Sequence, residues 1–400
     1  MSLFTALVRP IALVWLASVA RASLDLSRPS GVPQVHADGA DADRILLVAD
    51  GPSVGHGQLS HELGLAGHLA RQLSWLTGRG ADIDIIAEGN MTAAGCLAVL
   101  AAVDLSRFDA LVLTIGANEA LSLSSVGAWR GHLSDLLDHI ENSAYGLHTF
   151  VIGVPSSTSR IHFPRPLARI VDRQVVLLNR VTAEVCDGRP AVSLLPFDPP
   201  LSISGDRNSS KSFDSWASLI APSMRERLDF ASGQPRVIQA SDEAARQQAL
   251  DDLSVLDTDP EARIDLVMTL ARNLFGTSGA AVTFIDHERA WVKSALGMDV
   301  LDEPRIGAFC DMTIRNAEIF VVEDTALDPR FRHHPSVTGH GRVRFYAGYP
   351  LEAPDGRRVG ALCVVDTMPR SFSKGEAALL RTLTLRVQEQ LWLPRSGDRP

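Results

Sequence analysis

Arg44-Ile45-Leu46-Leu47-Val48-Ala49-Asp50 sets the pattern that decides the first half of this 400-residue chain. A continuous apolar run rich in Leu, Ile and Val, followed at once by Gly51 and Pro52, is what a strand covered on both faces looks like. The same pattern returns at 82–87 (DIDIIA), 110–116 (ALVLTIG), 149–154 (TFVIGV) and 191–197 (AVSLLPF). Between these runs lie longer segments at 59–77, 92–102, 126–141 and 166–185. In the first of them Leu65, Leu69, Leu73 and Leu76 form a helical stripe. Strand and helix alternating in this way predict a three-layer α/β/α domain with a parallel sheet and right-handed crossovers.

In such sheets ligands bind beyond the carboxyl ends of the strands. That rule nominates Asp50-Gly51-Pro52-Ser53 with His56, Glu88-Gly89-Asn90, Gly116-Ala117-Asn118-Glu119, the loop from Ser156 to His162, and the loop from Asp198 to Arg207. Over roughly residues 10–230 the order and spacing of these blocks resemble the SGNH (GDSL-type) hydrolases. The Gly-Asp-Ser block of that family corresponds to Ala49-Asp50-Gly51, its Gly-x-Asn-Asp block to Gly116-Ala117-Asn118-Glu119, and its last helix to Phe213 and Trp216-Ala217.

The resemblance implies a Ser nucleophile, a His base and an Asp orienter, with Asn, Gly and the serine amide holding the oxyanion. In this chain the nucleophile position is Gly51, the Asp and His positions are Ser204 and Arg207, and the Gly of the oxyanion set is Asn90. Asn118 alone keeps its identity. Without a hydroxyl and an imidazole there is no general-base route to a serine adduct at those positions. The first domain is therefore expected to be degenerate and non-hydrolytic. The alternative is a rearranged site in which Ser53 pairs with His162 and uses Asn118, giving an esterase or acyl hydrolase. Arg160 and Arg207 are candidates to hold an anionic ligand in the emptied cleft.

The stretch 228–242 (LDFASGQPRVIQASD) mixes Gly, Pro and polar residues. It places a linker at 231–242 between a first domain over 1–230 and a second over 243–400. Beyond it, helices from about 243, over 260–275 and over 374–391 accompany strands at 280–286, 290–296, 319–322, 344–351 and 358–365. Asp355-Gly356 marks a hairpin between the last two strands. Contiguous hairpins predict an antiparallel sheet in an α+β domain. The blocks Trp291-Val292-Lys293-Ser294, Ala308-Phe309-Cys310, Asp328-Pro329-Arg330-Phe331, Arg344-Phe345-Tyr346-Ala347-Gly348 and Gly360-Ala361-Leu362-Cys363-Val364 are similar to those of GAF domains of bacterial signalling proteins, over about 243–393. Met312 and His334 stand where similar members carry His and Asn. The resemblance implies a regulatory module that binds a small molecule or mediates dimerisation. Its pocket is expected between the sheet and the segment 310–341, lined by Trp291, Lys293, Phe309, Cys310, Asp324, Arg344 and Tyr346.

Composition narrows the function further. Hydrophobic residues at 46% and charged residues at 21% describe an ordinary globular protein. A net charge of −9, spread over both halves, leaves no basic excess for a phosphate backbone, so nucleic acid is not an expected partner. Cys96, Cys186, Cys310 and Cys363 are widely spaced with no CxxC, which predicts buried thiols, no metal and no cofactor. The apolar run 11–20 (IALVWLASVA) is too short to span a bilayer, and it reads as a packed helix in preference to a signal peptide. The expected protein is thus a cytoplasmic regulator: a GAF sensor joined to a pseudo-hydrolase, with a small-molecule ligand, a signalling partner and a homodimer through the GAF helices.

Overall fold

A computed structural model describes residues 29–392 apart from 30, 40, 51–57, 145, 157–164, 198, 200–209, 233–242, 299–301, 317 and 340–341. The chain divides into two compact units, 1–235 and 236–400.

In the first unit the strands are β1 (Gln34–Ala37), β2 (Asp43–Asp50), β3 (Ala81–Glu88), β4 (Ala110–Thr114), β5 (His148–Ile152) and β6 (Val192–Leu195). The helices are α1 (Leu65–Thr77), α2 (Ala93–Leu100), α3 (Ala117–Leu121), α4 (Val126–Ser143), α5 (Arg165–Cys186) and α6 (Ser210–Ser232). The sheet order is β1-β3-β2-β4-β5-β6, and every pair is parallel except β1 with β3. Apolar side chains leave both faces. Leu46, Leu111 and Val151 meet Trp129, Leu133 and Leu178 of α4 and α5 on one side. Ile45, Val112 and Phe150 meet Leu69, Leu73, Phe213 and Met224 of α1 and α6 on the other. This is the three-layer α/β/α arrangement that the five apolar runs predict.

Three local differences have physical reasons. The antiparallel edge strand β1 has no apolar run to announce it, and it is held partly by polar cross-strand pairs. Gln34 Nε2 donates to Asp84 Oδ1 at 2.6 Å, and His36 Nδ1 lies 2.7 Å from Asp82 Oδ1. Helix α1 starts at Leu65 rather than near 59, because Gly64 is extended after a 3-10 turn at His61–Leu63. Helix α6 runs on to Ser232, into residues the composition assigns to the linker.

The second unit contains α7 (Glu243–Asp252), α8 (Ala262–Phe275), β7 (Gly279–Ile285), β8 (Arg289–Leu296), β9 (Glu303–Pro304), α9 (Phe309–Ile314), β10 (Phe320–Val322), α10 (Pro335–Thr338), β11 (Phe345–Glu352), β12 (Arg358–Asp366) and α11 (Lys374–Trp392). Its sheet, β10-β11-β12-β7-β8-β9, is antiparallel throughout. Ile264, Met268 and Phe275 of α8 and Leu380 and Val387 of α11 cover one face. Phe309, Phe331 and Val337 cover the other. The elements missing from the sequence reading, β9, α9 and α10, are too short to carry a periodicity. Among the described residues no helix is long and apolar enough to cross a membrane.

Candidate functional site

Two sites are at issue. The first lies at the carboxyl ends of β2, β3 and β4. Asp50 closes β2, and its buried carboxylate accepts a hydrogen bond from Ala117 N at 2.9 Å. Gly116 makes the turn from β4 into α3 with φ +108°, and a Cβ there would sit 2.8 Å from Val154 Cγ2 and 3.0 Å from Trp129. Only glycine meets both demands. Asn118 Nδ2 donates to Gly89 O at 3.1 Å and to Met91 O at 2.8 Å, so both of its amide hydrogens tie down the loop after β3. Exchanging the amide O and N would set an oxygen against two carbonyls, which fixes this orientation.

Glu119 completes the set. Its Oε1 accepts from Ala93 N at 2.7 Å at the start of α2, while Oε2 is buried without a hydrogen-bond partner among the described residues. Burial raises its carboxyl pKa, and burial beside Glu119 and Asp50 pushes the Cys96 thiol to about 12. Beneath these residues a cavity of about 10 Å³, lined by Asp50, Thr114, Phe197 and Trp216 among others, has room for a single water. Phe213 and Trp216 meet edge to face, with ring centroids 5.4 Å apart, and pack into the core. Gly51, Ser53, His56, Arg160, His162, Ser204 and Arg207 all lie outside the described residues.

The second site is the face of the GAF-like sheet that carries α9. Phe309 is sandwiched there between Phe331, with centroids at 4.2 Å, and Tyr346, at 4.9 Å, both nearly parallel to it. The Tyr346 hydroxyl lies 2.7 Å from Thr313 Oγ1 and 3.5 Å from Cys310 Sγ. Gly348 makes room for that hydroxyl, since a Cβ at this position would come within 2.3 Å of it. Hydrogen bonding to Cys310 and burial push the Cys363 thiol well above its ordinary pKa, and all four cysteines are free and buried. Asp324 and Arg344 form a two-pronged ion pair, at 2.9 and 2.6 Å, beside β10.

Trp291 and Lys293 sit across the sheet from this cluster. A bulge in the pairing of β7 with β8 lets the consecutive residues Lys293 and Ser294 both reach the α8 side. Lys293 Nζ donates to Thr258 Oγ1 (2.7 Å) and Asp259 O (2.6 Å) and pairs with Glu261 at 3.1 Å. Ser294 Oγ donates to Asp265 Oδ1 at 2.6 Å. The structure thus brings Phe309, Cys310 and Tyr346 together, sets Asp324 and Arg344 as a clamp nearby, and leaves Trp291 and Lys293 on the opposite face. Thr313, Phe331 and Gly348 belong to the cluster as well. Gly348 was legible as the residue two places beyond Tyr346 on the same strand face.

Comparison with known proteins bears on the second unit. Residues 259–391 match the family model of the GAF domain. Those residues are a GAF domain. Over 158 residues the chain is also 35% identical to a cyclic di-GMP phosphodiesterase of Pseudomonas aeruginosa, a match that covers 39% of this chain and 27% of that relative. The chain therefore spans about a quarter of the length of the curated relative it matches. Among solved structures, a lipase from a goat rumen metagenome is 14% identical with a TM-score of 0.38, covering 46% of this chain and 99% of that one. The GAF domain of an Acinetobacter phosphoenolpyruvate-protein phosphotransferase is 12% identical with a TM-score of 0.28, covering 38% and 94%. Scores this low carry no argument, and the fold stands on the two sheet topologies themselves.

Proposed function

We propose that the chain is a non-catalytic regulatory protein, in which the GAF domain senses a small molecule or mediates dimerisation and the α/β/α domain binds a ligand or a partner protein. The observation that carries the first domain's part is Asn118. An oxyanion needs donors that are free to meet it, whereas both Asn118 amide hydrogens are spent on Gly89 O and Met91 O. Gly51, Ser204 and Arg207 supply neither nucleophile, orienter nor base at the matching positions.

On the GAF side the Phe309 ring occupies the space a small ligand would use, so binding there would have to displace it and move α9. The candidate lining of that pocket is Phe309, Cys310 and Tyr346, with Asp324 and Arg344 at its side. A signalling partner, a cytoplasmic location and a homodimer through the GAF helices belong to the same proposal. Leu266, Leu270 and Leu274, four residues apart on α8, are exposed and would be covered in such a dimer.

Intact-mass spectrometry after exposure to a fluorophosphonate probe tests the reading, with Ser53→Ala alongside. No adduct is expected, while a known serine hydrolase labels in parallel. A single adduct that disappears in Ser53→Ala would overturn the proposal and make the chain a Ser53-dependent acyl hydrolase.

A further inference from the structure

The Phe309 cluster and the first turn of α7 are joined by one side chain. Arg305 lies three residues before Ala308, the N-cap of α9. Its Nε donates to Asp311 Oδ1 of α9 at 2.8 Å, and its two terminal nitrogens reach Glu243 Oε1 at 2.5 Å and Oε2 at 3.1 Å. Asp311 is buried, and its second oxygen takes Arg315 Nη2 at 2.5 Å. Glu243, the first residue of α7, also receives Nε and Nη2 of the buried Arg246 at 2.8 to 3.1 Å. The planar guanidinium fork therefore spans two carboxylates on two helices, a geometry that a flexible ammonium does not reproduce.

We propose that Arg305 is a positioning residue that couples the seating of α9 to the order of α7. When α9 shifts with Phe309, Asp311 moves, the fork must turn, and Glu243 loses the partner that orders the start of the helix following the linker. The regulatory use of this coupling rests on the GAF reading above, but the coupling itself needs no ligand. Asp311 and Glu243 share Arg305 without a hydrogen bond or ion pair to each other among the contacts described, so a link between them is a test of the fork.

Amide hydrogen exchange on the full chain reads the two helices separately. Glu243→Gln is expected to speed exchange in 309–314 by about threefold to tenfold, and Asp311→Asn to do the same in 243–252, as couplings through a shared partner do. The double variant should exchange no faster in either helix than the more affected single variant. Arg305→Lys, which keeps the charge and loses the fork, should loosen both helices. Arg330→Ala, which breaks the separate Arg330–Asp328 pair, should leave 243–252 unchanged.

Exchange in the central strand β7 separates local loosening from general unfolding, and Arg305→Lys serves if either carboxylate variant opens β7. The proposal is overturned if each single variant loosens only its own helix and the double variant is additive. It is equally overturned if Arg305→Lys leaves both helices as protected as the parent. A chain that shows the coupling but binds no ligand would fail the regulatory reading alone.

Discussion

Phe309→Ala is the substitution that tests the GAF site most directly. The ring is buried, stacked on Phe331 and Tyr346, and met edge-on by His334 at 5.2 Å. Removing a buried phenylalanine ring costs about 3–5 kcal/mol, and two aromatic stacks at these distances place the loss toward the upper part of that range. For a unit the size of 236–400, about 2–4 °C of Tm is lost per kcal/mol, so the expected fall is roughly 10 °C. Calorimetry on the full chain should show it in one transition, with the α/β/α unit unmoved. Phe309→Leu keeps most of the apolar volume, loses the stacking, and should cost about 1–2 kcal/mol. A shift of less than about 3 °C for Phe309→Ala, against the slope above, would refute the packing argument. So would equal shifts for the two variants. The apolar space opened by Phe309→Ala should in addition take up a small aromatic such as benzene and regain part of the lost Tm.

Three other outcomes follow from the same geometry. Asn118→Ala should destabilise the first unit by about 1 kcal/mol by urea unfolding, and Asn118→Asp by more, because a carboxylate would face two carbonyl oxygens. Gly116→Ala should cost more than about 2 kcal/mol, through both the positive φ and the 2.8 Å approach to Val154, and a neutral result would mean the turn is built otherwise. Glu243 has its carboxyl held down to about 2: burial opposes this, and the hydrogen bonds from Arg246 and Arg305 outweigh it. A depressed carboxyl stabilises the fold above its unfolded pKa, so this contribution should be present above about pH 4.5 and fade toward pH 2. Glu243→Gln should remove that part of the acid slope in a pH series of melts.

The alternation of apolar runs and helical stripes made the first fold legible, because strands buried on both faces leave continuous Val, Ile and Leu in the sequence. The edge strand β1 left no such trace: it is four residues long, and Gln34 and His36 on it pair with two aspartates of β3 rather than extending an apolar run. In the second unit the hairpin pattern was equally plain, yet the division of residues between faces was not. A single bulge at Lys293 and Ser294 sends two neighbours to the same side, and a period-two reading of the strand cannot anticipate that. The aromatic sandwich was half legible. Phe309 and Tyr346 stood in recognisable blocks, whereas Phe331 reaches them from a loop whose path no local periodicity sets.

The loop ends of the first unit hold a pattern of their own. Asp50, Asn118 and Glu119 sit in the blocks that resemble the hydrolase motifs, and each has a backbone bond to make: to Ala117 N, to Gly89 O and Met91 O, and to Ala93 N. Gly116, in the same block, is required by the turn itself. The blocks thus match the family where a side chain, or its absence, holds the segments after β3 and β4 against the sheet. The positions that differ from the hydrolase pattern, Gly51, Ser204 and Arg207, are those whose role in such a site is chemical. On the non-catalytic reading proposed above, such a scaffold would present a shaped surface at the strand ends. If the proposed ligand role holds, selectivity on that surface would come from the fixed backbone around Gly89 and Met91. Asn118→Ala should then weaken, by calorimetric titration, any ligand found to bind the parent there, even though both Asn118 amide hydrogens are already used. Unchanged affinity would refute that role for the loop.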